Sequence, residues 1–343
     1  MDRQDIKAII MAGGKGTRLM PLTKNLPKPL MPVLAKPVIF YIIELLLSYN
    51  IDKIALTLMH MPKKIIDAVS KHFPMSFNYF IERKALGTAG SVKAAQGWLN
   101  EKPFIVISGD ALTNLDLAKI YDAHLKSDAD ITMAVKEVEN PSLYGVVKTD
   151  EYGYVAEFVE KPQKKEILSN LINCGIYIIN PDVLDFIPKD TAFDFARDLF
   201  PIILNQGKRI FTHRIDKYWC DIGSIEEYFK ANMDMLNGVN GLDCFTKDSQ
   251  ELYDIPLGRT YLGKRSFLGL NVDVGNNAII GDNCYIDGNI SLSDCIIFDN
   301  TFLNVSCHGA IATPEHYIPV LYKQPPYPQA QKKAQPTIQD TFL

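Results

Sequence analysis

At 343 residues the chain is long enough to bury a sizeable core and to hold two domains. Its 47% apolar and 22% charged residues are ordinary for a globular protein, and a net charge of −4 gives no electrostatic case for nucleic-acid binding. The apolar run Val38–Leu47 is short and interrupted by Glu44, the start MDRQDIK lacks a signal-peptide core, and six scattered cysteines form no CxxC pair. These features lead us to expect a cytoplasmic protein with no membrane partner, no zinc site and no disulfide framework.

Ile6–Met11 is an apolar run that reads as a buried strand. Ala12-Gly13-Gly14-Lys15-Gly16-Thr17 follows at once, and its glycines let backbone N–H groups turn sharply and converge on an anion. Arg18 and Lys28 add fixed positive charge, the first able to fork two phosphate oxygens. Pro21, Pro27, Pro29 and Pro32 stiffen the return of the loop. A P-loop is excluded because Lys15 is followed by Gly16. A dinucleotide fingerprint starting at Gly14 is excluded because Leu19 stands where a third glycine is needed.

The stretch GGKGTRLMPLTKNLPKPLMPV, Gly13 to Val33, resembles the signature loop of the sugar-1-phosphate nucleotidylyltransferases, and further matches run to about Leu303. The resemblance is nearest to the mannose-1-phosphate guanylyltransferase-like branch. It implies a nucleoside triphosphate and a sugar 1-phosphate as substrates, Mg²⁺ as cofactor, and a phosphate-binding role for Ala12, Gly13, Gly14, Gly16, Thr17, Arg18 and Lys28.

Val38–Tyr49 has helical apolar spacing, Lys53–Met59 is strand-like, Pro62–His72 is helical and Phe77–Ile81 is a short strand. Alternation of this kind predicts a doubly wound, Rossmann-like α/β sheet, with ligands outside the carboxyl ends of its strands. In Glu82–Gly90 a helix begins near Thr88. The plain structural reading is tight packing of small residues. The resemblance instead places Glu82, Gly87 and Thr88 at the nucleobase. An ionised carboxylate at Glu82 only accepts hydrogen bonds, which suits the adjacent N1–H and N2–H₂ donors of guanine. Phe104–Asp110 is an apolar strand ending in a carboxylate. Asp is common in turns, but the resemblance makes Asp110 a magnesium ligand, and Mg²⁺ takes few carboxylates.

Leu117–Ser127 reads as a helix and Asp130–Glu137 as a strand. Tyr144–Val147 opens a segment resembling the family's sugar-binding half. There Gly145 is either a bulge glycine or a close approach to sugar. Glu160 can accept hydroxyl protons, and Lys161 can neutralise the sugar phosphate. Asn173, before an apolar strand at Ile176–Ile179, can both donate and accept. Phe193–Pro201 is assigned to a packing helix. In Tyr218–Ser224 the better helix cap is Ser224, with Glu227 completing a capping box, which leaves Asp221 for the second magnesium carboxylate that the resemblance implies. Ile225–Leu236 then closes the first domain.

From Leu262, apolar residues recur every six positions (Leu268, Val274, Ile280, Ile286, Leu292, Phe298), the first four followed by glycine. This period predicts a left-handed parallel β-helix of little more than two coils, too short for the acyltransferase sites of longer stacks. Its open edges are expected to pack on the first domain or to pair copies into a homo-oligomer. The expected organisation is a nucleotidyltransferase domain over 1–240, a short β-helix over 241–322 and a Pro-, Gln- and Lys-rich tail over 323–343. The alternatives within this reading are a glucose-1-phosphate thymidylyl- or uridylyltransferase, and a non-catalytic nucleotide-sugar sensor.

Overall fold

The apolar run after Ile6 forms strand β1 (Lys7–Met11), buried along its middle and hydrogen-bonded on both sides. A computed structural model describes residues 5–99, 101–247, 249–255 and 258–321; the expected tail over 323–343 lies outside the described residues. The chain divides into two compact units. The first comprises Met1–Lys15, Pro27–Leu30 and Ile39–Trp219, and the second Gly16–Leu26, Met31–Val38 and Cys220–Leu343.

The first unit is a mixed α/β layer. After β1 come α1 (Val38–Ser48), β2 (Lys53–Leu58), α2 (Pro62–His72), β3 (Asn78–Ile81), α3 (Gly87–Ala94), β4 (Phe104–Ser108), α4 (Leu117–Ser127) and β5 (Ile131–Glu137). Then follow β6 (Gly145–Thr149), β7 (Val155–Glu160), β8 (Leu171–Ile179), α5 (Phe200–Asn205) and β9 (Ile210–Arg214). The sheet order is β7-β6-β8-β4-β1-β2-β3, with β5 on β8 and β9 on β5. β3, β2, β1 and β4 run parallel, as crossover helices require, while β8 runs antiparallel to β4, β5 and β6. The doubly wound Rossmann-like expectation is therefore met by a mixed sheet.

Local chemistry sets the helix limits. Pro62 occupies the first turn of α2, where its missing N–H costs nothing, and Ile65 and Val69 face inward. Asp116 caps α4 by accepting from Ala118 N and Lys119 N at 3.1 Å. The sheet core includes Ile9, Val106, Ile131, Met133, Tyr177 and Phe200, all buried. β8 is longer than its apolar run: it takes in Asn173–Gly175, with an irregular register between Asn173 and Tyr177 and Gly175 at φ 69°. Asn173 thus lies inside a bulged strand rather than ahead of one. Gly145 is paired regularly with Glu160, and the nearby bulge falls at Val155/Glu157.

In the second unit, helix α6 (Ile225–Leu236) starts at Ser224, whose hydroxyl accepts from Glu227 N at 3.2 Å. The return arm of the expected capping box is diverted, because Glu227 Oε2 accepts from Cys220 Sγ at 3.3 Å. Beyond α6 the chain stacks short parallel strands. Thr260 pairs with Ala278 and Phe267 with Tyr285, each eighteen residues on. Leu262, Ile280, Ile286 and Leu292 fill the interior, as the six-residue period predicts, with Leu268 and Val274 partly covered. Four parallel strands lie side by side at Gly258–Leu262, Ala278–Ile280, Ile290–Ile297 and Cys307–Ala312, so the stack is taller than the repeat alone indicates. The later turns are shorter: Tyr285 pairs with Phe302 and Cys295 with Ala310, which breaks the period. Both edges of that sheet carry an antiparallel strand, Leu252–Ile255 and Tyr317–Pro319, and so are covered from within the unit, whereas the three-stranded face Phe267–Leu268, Tyr285–Ile286 and Phe302–Leu303 is not part of it.

Candidate active site

The Gly loop leaves β1 at its carboxyl end, where ligands of such sheets bind. Two hydrogen bonds fix its start: Ala12 N donates to Thr57 O at 2.9 Å and Gly109 N to Met11 O at 2.8 Å. A Cβ on Gly13 would stand 3.4 Å from Met59 Cβ and 3.6 Å from Glu82 Oε1, whereas Gly14 faces open space. Gly13 and Glu82 are therefore brought together. Glu82 is half-buried, and Leu86 N donates to its Oε2 at 3.0 Å. Burial raises the Glu82 carboxyl above its usual range, and the Leu86 bond offsets part of that.

Lys28 lies in the short helix Lys28–Leu30 between two prolines and is buried. Its Nζ stands 2.5 Å from Asp110 Oδ2, the side chains being 9% and 23% exposed. Ser108 Oγ donates to Asp110 Oδ1 at 2.5 Å. Burial works to raise the Asp110 carboxyl, but the Lys28 charge with the bonds from Lys28 and Ser108 outweighs it and holds the group below its ordinary value. A charge at the end of a buried strand is stable only when paired in this way. Ser108 is not among the residues the sequence marks; its place at the end of β4, two residues before Asp110, is the signal that could have found it.

The sugar-side residues predicted from sequence also converge. A Cβ on Gly145 would meet the Phe158 ring at 2.5 Å and Glu160 Oε2 at 2.9 Å, so glycine is what lets Glu160 lie against the β6 backbone. Burial raises the Glu160 carboxyl, opposed by Lys161, whose Nζ is 3.6 Å from Oε1. Lys161 adopts φ 48°, a conformation uncommon outside glycine, and its N donates to Tyr144 O at 3.0 Å. The Asn173 amide is held at both ends: Nδ2 donates to Tyr177 Oη at 2.8 Å and Oδ1 accepts from Gly175 N at 3.0 Å. Tyr144 and Trp219 meet edge to face at 5.9 Å, and Trp219 Nε1 donates to Cys174 O at 3.0 Å. Trp219 and Tyr177 are both buried and support these residues from the core side.

Gly87, Thr88 and Gly90 have a packing role besides the one expected at the base. Gly87, at φ 70°, and Gly90 leave no room for a Cβ, with Phe193 O and Thr191 O each 2.6 Å from the position it would take. Thr88 Oγ1 donates to Asp194 Oδ2 at 2.7 Å and accepts from Phe195 N at 2.9 Å. The expected packing helix near Phe193 is a π-turn, Phe195–Leu199, running into α5.

The second unit holds Arg18 and Asp221. Gly16 turns the chain at φ 64°, and its carbonyl accepts from Thr23 Oγ1 at 2.8 Å. Thr17–Leu19 then forms a short helix that presents Arg18 to solvent. A Cβ on Gly223 would lie 2.7 Å from Asp221 Oδ2 and 3.0 Å from Arg18 Nη2, so guanidinium and carboxylate crowd the same glycine. Among the described residues no group of three or more His, Cys, Asp and Glu side chains is placed to hold a metal, and no helix is long and apolar enough to cross a membrane.

Residues 7–238 match the family model described as nucleotidyl transferase. This chain belongs to the nucleotidyl transferase family. It is 37% identical over 247 residues to a UTP–glucose-1-phosphate uridylyltransferase from Synechocystis, covering 68% of this chain and 64% of that protein. It is 35% identical over 242 residues to a mannose-1-phosphate guanyltransferase from Schizosaccharomyces pombe, covering 68% of this chain and 65% of the relative. The match thus spans just under two thirds of either relative's length. The crystal structure of HddC from Yersinia pseudotuberculosis complexed with GMP-PN is similar at a TM-score of 0.58 and 31% identity, covering 66% of this chain and 98% of that one. The family match takes in every site residue predicted from sequence and ends ahead of the stacked strands.

Proposed function

We propose that the chain is a sugar-1-phosphate nucleotidylyltransferase. The observation that carries this is the Lys28–Asp110 pair at the carboxyl end of β4, in a chain of the nucleotidyl transferase family. In the proposed reaction a phosphate oxygen of the sugar 1-phosphate attacks the α-phosphorus of a nucleoside triphosphate. The new P–O bond forms as the bond to the β-phosphate oxygen breaks, and pyrophosphate leaves with both electrons of that bond. The attacking phosphate is already an anion, so the protein needs no nucleophile or base of its own. Its work is to align two anions and offset developing charge.

Arg18 and the backbone of Ala12, Gly13, Gly14, Gly16 and Thr17 bind the β- and γ-phosphates, and Lys28 stands at the α-phosphate. Glu160, Gly145 and Asn173 orient the sugar, and Lys161 steers its phosphate. We assign Asp110 and Asp221 as the carboxylates for Mg²⁺. Asp110 fits that ion: its Oδ2 already lies against the Lys28 ammonium, which keeps the carboxylate ionised, as a hard oxygen ligand for a cation must be. When bound, Mg²⁺ supplies Lewis-acid charge to the phosphate oxygens.

Guanine is the favoured base. Glu82 keeps Oε1 and part of Oε2 to accept from two adjacent donors, and similarity to HddC, crystallised with GMP-PN, supports this. Mannose 1-phosphate as sugar donor draws support from the guanyltransferase relatives. The uridylyltransferase from Synechocystis favours the second reading, UTP with glucose 1-phosphate. We further propose that the C-terminal stack is a left-handed parallel β-helix, consistent with its eighteen-residue register, and that it joins copies into a homo-oligomer. The reading keeps the domain limits expected from sequence and a cytoplasmic location, with all six cysteines as free thiols.

The test is pyrophosphate release over a panel of GTP, UTP and dTTP, each with mannose 1-phosphate and glucose 1-phosphate. Turnover dependent on both partners is expected, fastest with GTP. Preference for UTP or dTTP refutes the guanine assignment. No release with any pair favours the non-catalytic sensor.

A further inference from the structure

One outer face of the stack carries a row of aromatic rings. Phe267, Tyr285 and Phe302 pair in turn on parallel strands, while their neighbours Leu268, Ile286 and Leu303 turn toward the interior, as alternation along a strand requires. The rings stack at 4.9 and 5.8 Å between centroids, with interplanar angles of 21° and 6°. Their exposure is 44%, 46% and 64% in that order, so the end ring, Phe302, is the most open. Leu270 and Val305, in the turns after Phe267–Leu268 and Phe302–Leu303, are exposed as well. Apolar side chains gathered in this way on a surface mark a place that something covers.

The direction of the chain beside this face identifies the occupant. Tyr317–Pro319 runs antiparallel to Cys307–Ala312, with Tyr317 opposite Ala312 and Pro319 opposite Ala310. Val320 N then donates to Gly309 O at 2.7 Å. The chain is therefore running back along the last coil, toward Phe302, where the described residues end at Leu321. Phe302 lies seven residues before Gly309, and the residue seven after Val320 is Tyr327. The same register carried on sets Tyr327 level with Phe302. The sequence around Tyr327 holds Pro325, Pro326 and Pro328. Proline has no N–H with which to extend a sheet, and its fixed φ suits the polyproline conformation that aromatic surfaces bind at low entropic cost. We propose that the aromatic row is a docking surface for this chain's own segment Pro325–Pro328, with Tyr327 stacked on the open face of Phe302 as a fourth ring. Stacked aromatic pairs attract beyond the area they bury. Docking there closes the end of the stack, as the terminal units of repeat folds must. The proposal is independent of the chemistry assigned to the first unit.

Trypsin cleavage of the whole chain after Lys323 tests this, followed by mass spectrometry under native conditions, because a docked segment is cut only from its opened state. The proposal predicts that Tyr327→Ser and Phe302→Ser each speed this cut tenfold or more. Tyr327→Phe, which keeps the ring, should stay within about threefold of the unsubstituted chain. Should Phe302→Ser disturb the stack, as circular dichroism would show, Tyr327→Ser alone decides, since it alters none of the stacked strands. Equal rates in the unsubstituted chain and Tyr327→Ser overturn the proposal. Docking within one chain also requires the protection to be independent of protein concentration. Protection that grows with concentration, with sedimentation showing an association that Phe302→Ser abolishes, gives the surface to a second copy and overturns the proposal as well.

Discussion

The sheet of the first unit and the stacked strands of the second handle their connections in opposite ways. In the sheet, strands end in open loops, and the charged residues sit there: Asp110 after β4, Glu82 after β3, Lys161 after β7. In the stack, connections are tight corners. Gly263 lies against Gly281, Gly281 against Asp299, and Asn283 and Asn300 take left-handed conformations at φ 56° and 59°. Corners that short leave no loop to carry chemistry, so the stack's side chains go either inward to core or outward into ladders. Phe267, Tyr285 and Phe302 form one such ladder, with stacked rings 4.9 and 5.8 Å apart. Where the connections are long, a fold can be given a site; where they are short it serves as structure.

Substitutions in the two regions should separate along this line. The largest effect is expected at the two carboxylates proposed to hold Mg²⁺: Asp110→Asn and Asp221→Asn should each lower turnover about 100-fold or more with the fold retained, as loss of electrostatic stabilisation does. Steady-state rates together with circular dichroism check this, and near-normal rates would remove that residue from the site. Next is Gly145→Ala. Its methyl group would meet the Phe158 ring and Glu160, and the strain costs about 1–3 kcal/mol. We expect the KM for sugar phosphate to rise about tenfold while the KM for triphosphate changes little, which initial-rate kinetics with each substrate varied would show.

A smaller effect is expected with pH. Burial raises the Glu160 carboxyl, so it protonates at higher pH than an ordinary glutamate near 4.3. In its proposed role, protonation weakens its acceptance of sugar hydroxyls. The acid limb of kcat/KM for sugar phosphate should therefore lie above that range and vanish in Glu160→Gln. Asp110 has the opposite sign. Its folded carboxyl is depressed, so its pair with Lys28 contributes stability above the unfolded value near 3.9 and loses it only as pH falls through the lower folded value. The smallest effect on rate belongs to the stack. Ile286→Ala, deep in its interior, should cost about 2–5 kcal/mol of stability by denaturant titration and leave kcat within about twofold.

Much of this arrangement is legible in the sequence where local chemistry decides it. Ser224 marks a helix start, and Pro62–His72, Leu117–Ser127 and Ile225–Leu236 match the spans expected from sequence. Gly13, Arg18 and Lys28 stand out because no packing need brings glycines, prolines and cations together so densely. What escaped depends on partners distant along the chain. Gly87 and Gly90 are small because the backbone at Thr191–Phe193 runs against them, and Thr88 meets Asp194 over a separation that no window of sequence spans. The bulge that places Asn173 within β8 arises where that strand serves both β5 and β6. The stack is taller than the six-residue period indicates because its turns shorten from Cys295 onward, where the register drops below eighteen residues and the period lapses.

The central claim is the proposed reaction, in which the phosphate of a sugar 1-phosphate joins the α-phosphate of a nucleoside triphosphate and pyrophosphate leaves. Phosphorus NMR of a reaction containing GTP, mannose 1-phosphate and Mg²⁺ tests it most directly. The account predicts two new coupled diester phosphorus signals and one equivalent of inorganic pyrophosphate, all dependent on the sugar phosphate. Inorganic phosphate with GDP, or pyrophosphate with GMP formed without sugar phosphate, would contradict it.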